Sequence, residues 1–198
     1  MLLAAKIIWC VGVIAWFVIR YPHQRRSRRT ARQRVAYRNL ELALLSISSL
    51  GLGVIPAVYV FTGQPRLADY PLQTWQVFAG ALIFLAALYL FRRTHSALGR
   101  NWSVTLEVRE DHALITEGVY KYVRHPMYSA FWLWAIAQAF LLPNWVAGFA
   151  GILGFGTLYL LRVRHEEQMM RETFGDAYAE YERRTGRIVP KLTRTRST

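Results

Sequence analysis

The stretch Leu114-Ile115-Thr116-Glu117-Gly118-Val119-Tyr120-Lys121-Tyr122-Val123-Arg124-His125-Pro126-Met127-Tyr128 decides how the chain is read. It gathers Glu117, Tyr120, Lys121, Tyr122, Arg124, His125 and Tyr128 directly ahead of an apolar run that begins at Ser129. Pro126 predicts a helix start, because a first-turn residue needs no N–H and the fixed φ of proline suits the turn. His125 then falls at the cap, and the free N–H groups of the first turn form an anion site. The same residues also suit an ordinary interfacial helix start, with Tyr and Arg as border anchors.

Outward from this stretch, the composition is divided. Hydrophobic residues make up 54% of the 198, yet the net charge is +13. The charges sit in blocks between long apolar runs, whereas an amphipathic soluble fold would scatter them. That layout is a membrane protein's. Upstream, residues 2–19 are apolar apart from Lys6, which can snorkel. No basic leader precedes this run and no small-residue cleavage site follows it, so it reads as a retained spanning helix. A second run covers 40–61, with Glu41 at its start and Pro56 late enough to kink it. A third, 75–91, ends in Arg92-Arg93. Downstream, 129–142 and 145–161 flank a turn at Pro143-Asn144 and form a helical hairpin. Its first arm is short for a full crossing, but both ends of the hairpin emerge on one face. The expected fold is an all-α integral membrane protein, one domain over 1–198, with five transmembrane helices.

Charge then sets the orientation. Segments 20–38, 92–125 and 162–198 hold eight, six and nine of the 25 Lys and Arg residues, the loop 62–74 holds one and the hairpin tip none. The positive-inside rule places the N-terminus outside and the C-terminus in the cytoplasm. The arginine block 20–38 has the composition of a nucleic-acid footprint. Its place after a spanning helix makes it a topological anchor held by anionic lipid, and no nucleic-acid partner is expected. Cys10 is the single cysteine, and His23, His95, His112, His125 and His165 show no ligand spacing, so no metal is expected. No nucleophile elbow, P-loop or glycine-rich dinucleotide fingerprint occurs, and strands do not alternate with helices. A soluble Rossmann-type enzyme is thereby excluded.

The stretch 94–113 reads as polar and mixed, with a turn at 99–103 and an extended piece at 104–108. In the C-terminal segment, 162–198, Arg162 and Glu166 are four residues apart on one helical face. They form either a surface ion pair, worth roughly 0.2–0.5 kcal/mol, or a cation and an anion aimed into a site at the membrane border. Gly175 reads as a helix stop, Asp176 as the next cap and Gly186 as its end.

Taken together, Gly118-Val119-Tyr120-x-x-x-Arg124-His125-Pro126-x-Tyr128, Asn144 at the hairpin turn, Arg162-x-x-x-Glu166-Glu167 and Phe174-Gly175-x-x-Tyr178-x-x-Tyr181 resemble the isoprenylcysteine carboxyl methyltransferase family of integral membrane enzymes. The likeness covers roughly 95–192 and is close to the short five-helix prokaryotic members. It implies S-adenosyl-L-methionine as cofactor, with S-adenosyl-L-homocysteine as product, in a cytosolic pocket between the 92–128 loop and the C-terminal helices. Residue by residue, it assigns His112, Ala113, Leu114 and Ile115 to the adenosyl part. Tyr120, His125, Pro126, Met127, Tyr128, Glu166 and Glu107 would hold the rest of the cofactor. Arg162 and Gln138 fall to a lipid-borne, prenyl-like acceptor.

The chemistry of the residues agrees with those roles. The cofactor's carboxylate suits the helix start at His125-Pro126, its cationic end suits Glu166, and Arg162 can clamp an acceptor carboxylate bidentately. A carboxylate acceptor is already ionised at neutral pH and needs no general base. A phospholipid amine or a small thiol would have to lose a proton, with His125 or Glu167 as the candidates to take it. A non-catalytic membrane scaffold with a basic face is the reading from a different class.

Overall fold

The computed structural model describes residues 1–27, 38–98 and 114–191. The turn at 99–103, the extended piece at 104–108 and the expected site residues His112, Ala113 and Glu107 lie outside these. Helices follow the apolar runs, since a segment in hydrocarbon must satisfy its own backbone. They are α1 (Leu2–Ser27), α2 (Arg38–Ser49), α3 (Ile55–Thr62), α4 (Thr74–Leu98), α5 (Pro126–Leu141) and α6 (Trp145–Arg184). A π-helical turn, Leu50–Val54, joins α2 to α3, and a 3-10 turn, Gly118–Lys121, precedes α5. Among the described residues no strand forms, only two isolated bridges.

Large apolar side chains such as Ile14, Phe17, Val58, Phe78, Leu82 and Leu153 are exposed along these helices. So many would be a liability in water and are ordinary against lipid tails. The protein is an integral, multi-pass membrane protein. Among the described residues four stretches are long and apolar enough to cross: Leu2–Pro22, Asn39–Thr62, Thr74–Leu98 and Trp145–Arg184. The remaining expected crossing, at α5, is shorter than these. Helix α5 has 16 residues and reaches about 24 Å at 1.5 Å per residue, short of a hydrocarbon core of about 30 Å.

Two expectations change. The 92–98 part of the supposed loop is the last two turns of α4. Two of its polar residues, Thr94 and His95, are buried against the helix's own carbonyls: Thr94 Oγ1 donates to Leu90 O at 2.8 Å, while His95 Nδ1 pairs with Phe91 O and its ring lies 4.2 Å from that of Phe91. The kink at Pro56 becomes the π turn instead. Proline cannot donate to the carbonyl four residues back, and the wider Ile55 N–H to Leu50 O bond absorbs the defect.

The π turn packs against α6 through glycine. A Cβ on Gly51 would lie 2.3 Å from Ala150 O, and the Gly51 and Gly154 backbones meet, the close approach that small residues permit between membrane helices. At the hairpin tip Asn144 caps α6, accepting from the Val146 and Ala147 N–H groups. Its amide donates to Pro65 O and Asp69 Oδ1, both at 2.7 Å. The 63–73 loop and the hairpin tip thus share one face, as their shortage of basic residues suggested. Asn144→Ala is expected to cost about 1–2 kcal/mol, the range of a lost N-cap, read as a fall in Tm in detergent.

At its other end α6 continues without a break beyond Leu161, where its apolar part stops, to a kink at Gly175 (φ 51°, ψ −125°). That backbone suits glycine, which carries no Cβ to clash. The turn folds Tyr178, Tyr181 and the tail 185–191 back towards the start of α5.

Candidate active site

The start of α5 is assembled from three directions. Pro126 occupies the first turn and His125 the cap, with no side-chain capping bond. Across it lies the tail: Arg124 N–H donates to Gly186 O at 2.8 Å, His125 N–H to Arg187 O at 2.9 Å, and Ser129 Oγ to Ile188 O at 2.6 Å. The expected cluster of free N–H groups is therefore smaller than the sequence suggested. His125 spends its donor on the tail and Pro126 has none, which leaves Met127 and Tyr128 as the first-turn donors that helix geometry leaves unpaired.

Opposite stands the first stretch of α6 beyond its apolar part. Arg162 Nε donates to Glu166 Oε1 at 2.8 Å, and Tyr128 OH donates to the same oxygen at 2.7 Å. His125 Nδ1 faces Glu166 Oε2 at 3.5 Å, and its Nε2 faces Glu167 Oε1 at 3.4 Å. The His125 and Tyr128 rings stack with centroids 5.4 Å apart. Arg162, Glu166, Tyr128 and His125, drawn from two helices, form one cluster, as the sequence expected.

Glu167 is the buried hub behind it, 1% exposed. Arg124 Nη2 and Nε reach its Oε1 at 3.0 and 3.2 Å, and Arg187 grips both of its oxygens. Arg124 also donates to Thr185 O at 2.7 Å, riveting the tail to the α5 start. Burial alone would raise the Glu167 carboxyl, but hydrogen bonds from His125, Arg187 and Arg124 outweigh it and hold the group well below the usual carboxylate range. Glu167 is therefore an anion at any working pH, committed to structure.

Tyr120 lies beside this hub, its carbonyl accepting from Tyr181 OH at 2.7 Å. Burial, with Tyr181 and Glu166 nearby, pushes its phenol above the ordinary value, so it presents a neutral ring and hydroxyl. Against the start of the same 3-10 turn a cavity of about 560 Å³ is lined by Arg93, Ser96 and Ala97 of α4 and by Leu114 to Val119. Leu114 and Ile115 were both expected to line an adenosyl site. Gln138 is fully buried, its Nε2 donating to Gly51 O at 3.1 Å and Ala147 O at 2.8 Å. It abuts Gly151, eleven residues and so roughly 16 Å along the helix from Arg162.

Sequence reasoning gave no role to Glu41, Arg124 or Arg187. Glu41, in the first turn of α2, places Oε1 3.4 Å from Arg162 Nη2. Its signal was available: it is the sole acid ahead of Asp69 and stands at the edge of an apolar run. Arg187 carried no such signal, because its partner is set by the fold of the tail.

These features define a class: a polytopic helical membrane protein with a compact acid–arginine–aromatic site where α5 begins and the apolar part of α6 ends. Residues 76–172 match the model of the Isoprenylcysteine carboxyl methyltransferase (ICMT) family. Across that stretch, just under half of the chain, the sequence is similar to the isoprenylcysteine carboxyl methyltransferase family. The match begins earlier than the motif likeness at 95 and stops before the tail. Among curated relatives, Protein-S-isoprenylcysteine O-methyltransferase B of Arabidopsis thaliana is 31% identical over 121 residues, 60% of this chain and 61% of the relative. The Schizosaccharomyces pombe Protein-S-isoprenylcysteine O-methyltransferase is 36% identical over 83 residues, covering 42% and 35%. The Homo sapiens protein of that name is 29% identical over 119 residues, covering 59% and 42%. The chain thus spans at most about three fifths of these relatives' length. The solved structure of the eukaryotic intramembrane Ras methyltransferase ICMT shares the fold at a TM-score of 0.54 and 23% identity, over 79% of this chain and 54% of that one.

Proposed function

We propose that the protein transfers a methyl group from S-adenosyl-L-methionine to the carboxylate of an isoprenylcysteine-like, lipid-borne acceptor at the cytosolic face of its membrane. The N-terminus lies outside, the C-terminus in the cytoplasm, and α5 makes a short fifth crossing beside α4 and α6. One observation carries the reading: Arg162, Glu166, Tyr128 and His125 converge at the border of the apolar part of α6 within the stretch that matches the family.

The residues fit the cofactor. Glu166 accepts two hydrogen bonds on Oε1 and only a long contact on Oε2, so a carboxylate with about four acceptor positions retains capacity for an ammonium. The cavity beside Leu114 and Ile115 has the volume of a small-molecule site, and the resemblance assigns His112, Ala113 and Glu107 to the same cofactor. When bound, the cofactor supplies an electrophilic methyl group. Tyr128 and His125 hold Glu166 in place for its cationic end. Tyr120, Pro126 and Met127 supply the ring and backbone wall between cavity and cluster. Arg162 meets the acceptor's carboxylate at the interface, while the tail over α5 keeps water out. Gln138 acts deeper, fixing the π-turn wall along which an acceptor's apolar tail would run. No residue is asked to move a proton; such positioning alone is worth up to about 7–11 kcal/mol.

The test is purified, lipid-reconstituted protein given methyl-labelled cofactor and a farnesylcysteine analogue. A base-labile methyl ester is expected. A base-stable product would move the acceptor to an amine or thiol, and no transfer at all would return the protein to a scaffold. Glu166→Gln is expected to weaken cofactor binding about tenfold or more, the worth of one charge-assisted hydrogen bond, as read by titration.

A further inference from the structure

Arg162 does not present an open guanidinium. Nε is 2.8 Å from Glu166 Oε1, and Nη2 is 3.4 Å from Glu41 Oε1. Arg162 and Glu41 are respectively 10% and 7% exposed, so neither charge is screened by bulk water. Nε and Nη2 form one edge of the guanidinium fork, the edge that binds a carboxylate with two parallel hydrogen bonds. Here two separate carboxylates share it. Glu166 is fixed from behind by Tyr128 and from the side by His125. Glu41 makes the longer contact, and it comes from α2, outside the stretch that matches the family.

We infer that Glu41 sets the acceptor specificity of Arg162 by competing for its guanidinium, so that an acceptor carboxylate binds by taking over the Nη2 contact that Glu41 holds. The inference rests on the reading of Arg162 as the acceptor clamp. Its physical content is electrostatic. Two carboxylates already face the one guanidinium, and a third is repelled unless it displaces the partner at the longer contact. Glu41 also keeps the guanidinium oriented from the α2 side, so the residue positions Arg162 and handicaps anionic ligands at once. Neutral ligands, such as the methyl ester of the same acceptor, feel the positioning but not the competition. Glu41 therefore helps release the distinction between acid and ester that Arg162 alone would make strong, easing turnover of a membrane-bound pool.

The experiment compares binding of N-acetyl-farnesylcysteine with that of its methyl ester to the full chain in nanodiscs, for wild type, Glu41→Gln and Arg162→Gln, with cofactor titration as the check on folding. Glutamine keeps the shape and a carbonyl oxygen at position 41 but removes the charge. The expected result is an acid-over-ester preference that rises about 5–10-fold in E41Q, the effect of one weakened charged contact, and collapses in R162Q. KM for the acid falls in E41Q more than kcat changes. A purely structural role would move acid and ester together, so an unchanged or smaller preference in E41Q overturns the inference. If wild type and R162Q bind acid and ester alike, the clamp itself fails and takes the inference with it. Should E41Q not fold, Glu41→Asp, which draws the charge back by one methylene, is expected to shift the preference the same way by less, and no shift there counts against it.

Discussion

Replacing Arg162 by alanine is expected to lower kcat/KM for a prenylcysteine-type acid by roughly two to three orders of magnitude, the cost of removing one partner from a buried, hydrogen-bonded charge pair. Cofactor affinity is expected to hold or tighten, because Glu166 then loses the guanidinium that shares its Oε1. Arg162→Lys is expected to rescue little. An ammonium is a point charge and cannot span Glu166 and a carboxylate with one rigid fork. Steady-state kinetics with both substrates varied separates the two effects. A loss shared equally between cofactor and acceptor would return Arg162 to an ordinary intrahelical ion pair.

The second large effect is on the fold. Glu167→Ala is expected to destabilise the protein by about 3 kcal/mol or more, the lower end of the range for breaking a buried pair. The lower end applies because Arg187 is 42% exposed and partly served by solvent. Arg124, by contrast, is left buried with only the longer 3.7 Å contact to Glu182 facing its charge. The loss falls on the tail, since Arg124 and Arg187 are what tie residues 185–188 to the start of α5. Acid stability follows the same group. Its carboxyl is held below its unfolded value, so its stabilising contribution is complete above about pH 4.3 and is lost as the pH falls through the folded value. Thermal unfolding in detergent from neutral to acid pH is expected to show a shallower acid limb in E167A than in wild type. Equal limbs would mean that Glu167 is not the hub described.

What the sequence made legible is what hydrocarbon and proline make obligatory. The apolar runs had to be helices, Pro126 had to begin one, and Pro143-Asn144 had to turn the hairpin. Arg162, Glu166 and the His125–Tyr128 block converged because a hairpin with a four-residue spacing on one arm leaves them few other places to go. Less legible was anything decided by packing between distant segments. The extension of α4 through Thr94 and His95 looked polar because the helix's own carbonyls satisfy them. The pairing of Arg187 with Glu167 depends on a kink at Gly175 and a tail that doubles back. Glu41 depends on α2 packing beside α6. Charged residues announce that a partner exists, and only the fold says which.

The most direct test is calorimetric titration of the lipid-reconstituted protein with S-adenosyl-L-methionine and with S-adenosyl-L-homocysteine. Saturable one-site binding of both ligands to wild type, weakened about tenfold or more in E166Q and retained in R162A, is the predicted result. No binding of either ligand to wild type, or equal affinity in wild type and E166Q, would contradict the assignment of this cluster to a methyl donor.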